Sequence, residues 1–145
     1  MIAIRTMQER DADKVAEIES RTFSQPWSRQ GFLDSLELEH AVFYVAEEDE
    51  RIVGYIGMYV SLDEGEITNV AVDSDARCRG IGAMLVEAMK KEAGLRGVTK
   101  IVLEVRVSNE RAIRLYERNG FVRQGIRKGF YDMPKEDAYI MLYGQ

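Results

Sequence analysis

Apolar residues recur along the chain at two periods, and these periods predict its secondary structure. Alternating apolar and polar positions indicate strands, whereas spacings of three and four indicate helices with one buried face. Helix starts follow from capping residues, such as Ser28 ahead of the apolar positions Phe32 and Leu36. The predicted elements are, in order, a strand at 2–6, a helix at 11–23, a helix starting at 26–28, strands at 41–46, 52–60 and 66–72, a helix at 80–93, a strand at 100–106, a helix at 109–118, and strands at 121–130 and 138–142.

This order, βααβββαβαββ, predicts an α+β fold with a mixed, mainly antiparallel sheet flanked by about four helices. The helix at 80–93 is long enough to cross over between the fourth and fifth strands, which would then lie parallel. Parallel neighbours in such a sheet can splay, and a splayed gap leaves backbone groups free to bind an extended ligand. A length of 145 residues fits one domain, residues 1–145.

The composition narrows the class of protein. Hydrophobic residues make up 46% of the chain and charged residues 31%, which is ordinary for a soluble protein. The one cysteine, Cys78, excludes an internal disulfide, and the one histidine, His40, argues against a histidine-based metal site or triad. The N-terminus has no long apolar run. We therefore expect no signal peptide, no metal, no membrane association and a cytoplasmic location.

Charge is distributed unevenly along the chain. Residues 34–75 contain twelve acids and one base, whereas residues 77–128 contain thirteen bases and five acids. This asymmetry has two interpretations. It indicates either two solvated faces of opposite charge, or a basic half that binds an anionic ligand and an acidic half that binds a cationic one. The net charge of −5 argues against general nucleic-acid binding.

The fourth predicted strand runs into a polar loop that contains Gly80 and Gly82 and precedes a helix. Glycines allow close backbone approach, and a helix N-terminus presents unpaired N–H groups, so this segment favours an anion such as a pyrophosphate. The segment is not a P-loop, because no Gly-Lys-Ser/Thr follows. It is not a dinucleotide-binding fingerprint either, because Ala83 and Met84 fill the position of the third glycine. An ordinary strand-to-helix turn has the same local pattern.

Three polar residues in the second half allow a structural and a chemical interpretation. Glu104 lies mid-strand on the polar face, where a carboxylate is either paired, for example with Arg106, or used as a general base. Asn109 is either a helix cap or an amide that binds a ligand. Tyr116 is either a core tyrosine or a proton donor.

These residues belong to segments that together resemble a known family. The segments are Phe23–Ser28, Asn69–Asp73, Arg77–Gly82, Leu103–Arg106 with Ser108 and Asn109, Ala112–Glu117 with Gly120 and Phe121, and Glu136–Ala138. They occur in the family's order over nearly the whole chain. The chain resembles the GNAT-superfamily acetyltransferases, and within them it is similar to the ribosomal-protein alanine N-acetyltransferases (RimI-like). The loop glycines occur throughout the superfamily, whereas the other segments in combination are more specific.

The resemblance implies the GNAT fold, acetyl-CoA as co-substrate, Glu104 as base and Tyr116 as acid. It implies substrate contacts from Trp27 and from Tyr131, which stands with Phe130 where the family often has two tyrosines. Val70 and Val72 would hold the pantetheine arm through their backbone, and the glycine loop would hold the pyrophosphate. The cofactor-binding residues so implied are Val70, Ala71, Val72, Cys78, Arg79, Gly80, Ile81, Gly82, Ala83 and Asn109.

The implied activity is transfer of acetyl from acetyl-CoA to the N-terminal α-amine of a protein, with a ribosomal protein as the expected substrate. We expect a monomer or weak dimer, and no nucleic-acid partner. A covalent mechanism through Cys78 is disfavoured, because this thiol lies in the predicted phosphate loop. Two alternatives remain open: an acetyltransferase for a small amine such as a polyamine or aminoglycoside, which the acidic first half would suit, and a non-catalytic acyl-CoA-binding module.

Overall fold

The computed structural model describes residues 1–144, and its elements follow the predicted order. The strands are β1 (Ile2–Thr6), β2 (Ala41–Glu48), β3 (Arg51–Ser61), β4 (Glu64–Val72), β5 (Lys100–Arg106), β6 (Val122–Tyr131) and β7 (Glu136–Gly144). The helices are α1 (Ala12–Thr22), α2 (Arg29–Leu36), α3 (Ile81–Leu95) and α4 (Glu110–Arg118). Within these residues no helix is both long and apolar enough to cross a membrane.

The strands form one seven-stranded sheet in the order β1-β2-β3-β4-β5-β7-β6. Strands β4 and β5 pair in parallel, and the other neighbouring pairs are antiparallel. Helix α3 makes the crossover that a parallel pair requires. The predicted α+β, mainly antiparallel fold is therefore confirmed.

The parallel pair splays, as predicted. Strands β4 and β5 are in register only from Glu64 to Glu66 and from Lys100 to Val102, and beyond these positions they are no longer paired. The register between β3 and β4 shifts just past this point, so that Thr68 is an extra residue on β4. Because a β-bulge bends its strand and increases its twist, it turns β4 away from β5. The resulting gap positions the site described below.

Two hydrophobic clusters occupy opposite faces of the sheet. Helices α3 and α4 cover one face, where Leu85 and Tyr116 pack in a cluster with Leu103 of β5. Helices α1 and α2 cover the other face, where Ile18 and Phe32 join a separate cluster. A residue on β4 or β5 can therefore be assigned to the α1–α2 face or to the α3–α4 face.

Several element ends differ from the sequence prediction. Strand β4 begins at Glu64 instead of residue 66, and β7 spans Glu136–Gly144 instead of 138–142. Pairing explains both extensions, because Glu64 is opposite both Ser61 and Lys100, and Gly144 is opposite Lys100. Charged residues and glycine favour strands weakly on their own, so tertiary hydrogen bonding determines these ends.

Candidate active site

A cleft of about 560 Å³ opens where β4 and β5 separate. Its walls come from β4 and β5, from the segment that joins α1 to α2, from α4, and from the hairpin between β6 and β7. Side chains far apart in the sequence therefore meet at the gap in the sheet. The predicted site residues that line this cleft are Trp27, Val70, Glu104, Asn109, Tyr116 and Tyr131.

Glu104 is the carboxylate of β5 in this cleft, with a side chain that is 14% exposed. Arg127 Nε of β6 lies 3.3 Å from Glu104 Oε2. Burial raises the pKa of Glu104 above the ordinary value for a glutamate, and the negative charge of Glu66 raises it further, whereas Arg127 acts in the opposite direction. A raised pKa brings the carboxylate closer to the proton affinity that a general base needs near neutral pH.

The alternative interpretation of Glu104 as an ion pair with Arg106 is wrong. The guanidinium of Arg106 instead lies 3.0 Å from Glu136 Oε1 and stacks 4.4 Å from the ring centre of Tyr131. Residues two apart on a strand are separated by almost 7 Å, whereas Glu136 begins the neighbouring strand β7. Arg106 therefore braces the hairpin that carries Tyr131, and Glu104 remains accessible from the cleft.

Tyr116 of α4 is a core tyrosine that also borders the cleft, and its role as a proton donor stays a prediction. Its residue surface is 5% exposed, and its ring packs 5.8 Å from that of Phe121, so it is a core tyrosine. It also lines the cleft. Burial raises the pKa of the Tyr116 phenol, and Tyr131 adds to this effect. The phenol therefore stays protonated over the ordinary pH range and can donate a proton.

Glu104 and Tyr116 reach the gap from opposite faces of the sheet. The neighbours of Glu104 on β5, Leu103 and Val105, pack in the cluster beneath α3 and α4. Because side chains alternate along a strand, Glu104 points to the α1–α2 face. Tyr116 comes from α4 on the other face. The cleft thus places a carboxylate on one side of the gap and a phenol on the other.

The backbone of β4 presents free polar groups to the gap. The N–H of Asp73 donates to Val53 O of β3 at 2.8 Å, so alternate residues on β4 face β3. By the same alternation, Val70 and Val72 turn their amides toward the gap. Arg77 Nε donates to Val72 O at 3.3 Å. An extended ligand lying in the gap can pair with this edge as an added strand does.

Asn109 serves as the predicted helix cap. Its Oδ1 accepts a hydrogen bond from Ala112 N at 3.2 Å, which satisfies one of the free donors at the start of α4. The residue also lines the cleft, so its side-chain NH₂ remains available for a ligand.

The glycine loop lies at the end of β4, outside the lining of the cleft. Gly80 has φ +80 and precedes α3, whose first turn has no side-chain cap. A Cβ added at Gly80 would meet nothing within 4 Å, so the space beside this backbone is open. Gly82 differs, because it lies within α3 and an added Cβ would come 3.1 Å from Leu115. Gly80 therefore serves the turn, whereas Gly82 permits α3 and α4 to pack closely.

The remaining predicted loop residues have other surroundings. Cys78 is exposed and adopts φ +66. Arg79 is paired with Glu48, with Nη1 2.9 Å from Oε1. The side chains of Ala71 and Ile81 are buried in the core. Ala71 and Ile81 can therefore reach a ligand only through their backbone, whereas Arg79 would first have to leave Glu48.

Two buried polar residues at the cleft were not predicted to have a role. Glu19 of α1 and Asn69 of β4 line it, and they are 2% and 4% exposed. The available signal was polarity at an apolar position, because Glu19 follows Val15 by one helical turn and Asn69 stands between Ile67 and Ala71 on β4. Arg127, the partner of Glu104, has no comparable signal in the sequence.

Comparison with known proteins identifies the family. The profile described as "Acetyltransferase (GNAT) family" matches residues 12–121. The chain belongs to the GNAT acetyltransferase family. The ribosomal protein bS18-alanine N-acetyltransferase of Salmonella typhimurium is 37% identical over 143 residues, covering 97% of this chain and 96% of the relative. The splayed sheet described above is therefore the GNAT fold, and the chain is an acetyltransferase.

Solved structures of GNAT proteins superimpose closely on this one. The crystal structure of the ribosomal-protein-S18-alanine N-acetyltransferase from Escherichia coli has a TM-score of 0.91 and 34% identity, covering 99% of this chain and 94% of that chain. Arabidopsis thaliana NAA60 in complex with acetyl-CoA has a TM-score of 0.89 and 21% identity, covering 99% and 98%. At that identity the second comparison concerns the fold alone.

Proposed function

We propose that this GNAT chain transfers the acetyl group of acetyl-CoA to the N-terminal α-amine of a protein. The observation that carries the proposal is the convergence of Glu104 and Tyr116 on the gap from opposite faces. Acyl transfer to an amine requires one proton to leave the amine and another to reach the leaving thiolate. A base and an acid on separate sides of one cleft meet that requirement.

The residues along β4 and at the start of α3 fit acetyl-CoA, which supplies an activated acetyl thioester when bound. The free edge of β4 at Val70 and Val72 suits the amide-containing pantetheine arm. The uncapped first turn of α3 and the open space at Gly80 suit the pyrophosphate. A backbone N–H of β4 at the gap would also donate to the acetyl oxygen, where negative charge develops during transfer.

Glu104 and Tyr116 then have defined roles. An α-amine has a pKa of about 7.7–8.0, so much of it is protonated at neutral pH and must lose a proton before it can attack. Glu104 takes that proton on the α1–α2 face, directly or through a water molecule. Tyr116 gives its phenol proton to the leaving thiolate on the α3–α4 face. The raised pKa of Glu104 favours its role as a base, whereas the raised pKa of Tyr116 keeps its phenol protonated until the thiolate forms.

The choice of a protein N-terminus rests on the similarity to the bS18-alanine N-acetyltransferases. Trp27 and Tyr131 flank the cleft and are the proposed contacts for the first residues of the substrate. Burial and the charge of Glu104 raise the pKa of Tyr131 to about 12, so its hydroxyl stays neutral and can hydrogen-bond a peptide. We propose a ribosomal protein with a small first residue, alanine or serine, as the substrate.

The substrate class is tested with matched peptides at saturating acetyl-CoA. We expect turnover of peptides that have a free α-amine and begin with alanine or serine. Blocking that amine should abolish turnover even when the peptide contains lysines, because the cleft would receive the chain end. Equal turnover of blocked, lysine-containing peptides would contradict the proposal. Turnover of spermidine with none of any free peptide would favour the small-amine alternative.

The proposed pyrophosphate site is tested by placing a charge at Gly80. We expect Gly80→Asp to weaken acetyl-CoA binding at least about tenfold, because a carboxylate would stand beside the phosphates. Gly80→Asn is the matched control, since asparagine has nearly the same shape and both residues tolerate a positive φ. The measurement is titration calorimetry with acetyl-CoA. Equal affinities of the two variants would exclude an electrostatic role for this turn.

A further inference from the structure

A buried polar cluster lies beside the cleft and has no part in the roles assigned above. Glu19 of α1 is at its centre and accepts hydrogen bonds from the Tyr55 hydroxyl and from Trp27 N, the latter at 3.0 Å. Asn69 Nδ2 lies 3.4 Å from Glu19 Oε1 and 3.3 Å from Glu19 Oε2. Burying a charged carboxylate and an amide is costly unless their hydrogen bonds are made, so the cluster needs an explanation.

The cluster leaves one polar atom unused. Among residues 1–144, Asn69 Oδ1 is the buried side-chain oxygen or nitrogen that has no hydrogen-bond partner. Turning the amide over would not satisfy it, because Oδ1 would then face the carboxylate of Glu19, and two acceptors would repel each other. Glu19 therefore determines the orientation of the amide. Asn69 Oδ1 is therefore a buried acceptor that no donor within the described residues satisfies.

The position of Asn69 shows on which side of the gap this acceptor lies. Asn69 contacts α1 and lines the cleft, so its side chain lies on the α1–α2 face together with Glu104. Gly80 and the proposed acid Tyr116 belong to elements of the opposite face. This acceptor therefore lies on the side of the gap to which the proposed mechanism assigns the amine.

We propose that Asn69 Oδ1 accepts a hydrogen bond from the attacking amino group, and that Glu19 is the positioning residue that orients this acceptor. The assignment rests on the proposed transfer to an amine. An ammonium group carries three N–H bonds, of which one survives in the amide product. Glu104 removes the first of the two protons that are lost, and the second leaves to water after the C–N bond has formed. An amide oxygen is too weak a base to take either proton. Asn69 can thus hold the N–H bond that survives and direct the nitrogen lone pair toward the acetyl group.

The test is steady-state kinetics with Asn69→Leu, which keeps the size of the side chain and removes the acceptor. We expect kcat/KM for the amine to fall about 10- to 100-fold, the usual range for a hydrogen bond to a charged group, while KM for acetyl-CoA stays unchanged. Asn69→Ala is measured as a second variant, because the alanine side chain is too small to displace Glu19 sterically. Wild-type kcat/KM in a folded Asn69 variant, or an equal loss toward both substrates, would overturn the proposal.

Glu19 is tested through its dependence on Asn69. We expect Glu19→Gln to lower kcat/KM for the amine a few-fold by letting the amide turn over, and to add nothing in the Asn69→Leu background. Additive losses would overturn the positioning role. Ser35→Ala is the matched control, since it removes a hydrogen bond to Tyr59 from the same sheet face outside the cleft. If Ser35→Ala reproduces the Asn69 loss, general loosening of the face explains it.

These experiments separate the new inference from the proposed function. Activity of the wild-type protein on free and blocked peptides tests the proposed function. The ratio of kcat/KM between variant and wild-type protein is measured with the amine that the wild-type protein acetylates fastest, whether that amine is a peptide or spermidine. If the wild-type protein does not prefer peptides with a free α-amine, the proposed function fails, but the test of Asn69 still applies.

Discussion

Glu104→Gln should lower kcat/KM for a free-amine peptide about 10²- to 10⁴-fold at neutral pH, because the variant has no carboxylate to remove the proton of the amine. Activity should recover partly as the pH rises past about 8, where the α-amine loses its proton without help. The measurement is a pH–rate profile for the wild-type and variant proteins. If the variant's kcat/KM is lower than that of the wild-type protein by the same factor at every pH, Glu104 has another role.

Two variants that leave Glu104 in place provide the matched controls. The wild-type rate should decline at low pH with a pKa above that of an ordinary glutamate, since burial and Glu66 raise it. Glu66→Gln removes a negative charge and should move this decline to lower pH. Arg127→Met removes the opposing positive charge and should move it to higher pH. If neither variant moves the decline, the group that titrates is not Glu104.

Tyr116→Phe should lower kcat about 10²-fold or more, because it removes the proposed proton donor and keeps the ring. KM for acetyl-CoA should change little, and so should the melting temperature, since the ring still packs on Phe121. The measurement is steady-state turnover of a free-amine peptide, together with thermal melting. A folded variant with wild-type turnover would return Tyr116 to a purely structural role.

The controls for Tyr116 are two other tyrosine hydroxyls. Tyr143 stacks 5.5 Å from Phe121 but lies outside the cleft, so Tyr143→Phe should keep wild-type turnover. Tyr131 lines the cleft as a proposed substrate contact, so Tyr131→Phe should raise KM for the peptide more than it lowers kcat. If Tyr131→Phe carries the loss of kcat and Tyr116→Phe does not, the acid is Tyr131.

Order and type of the elements follow from local sequence patterns. The helix cap at Ser28 was predicted and is observed, with Ser28 Oγ accepting from Gly31 N at 3.0 Å. The predicted helix between the fourth and fifth strands is long enough for a crossover, which predicts the parallel pair. These features depend on residues close in sequence, for which periodicity and capping are sufficient.

The site could be predicted only in part. The sequence indicates Glu104 and Tyr116 as residues able to carry the chemistry, and their roles remain predictions. The sequence favoured Arg106 as the partner of Glu104, whereas the partner is Arg127, which lies on a different strand. Cross-strand partners depend on register, and register is determined by turns and burial over the whole sheet.

What the sequence by itself determined is the family pattern, the order of the elements and the residue types that the chemistry needs. Only the tertiary structure decided where these residues meet. The bulge at Thr68 ends the pairing of β4 with β5 and so opens the cleft. Packing of α1 against β4 buries Glu19 beside Asn69 and orients an amide whose free oxygen no local pattern indicates. The cleft and the orientation of the amide both depend on contacts between residues far apart in the chain. Such contacts exist only in the folded protein, so local sequence patterns do not predict them.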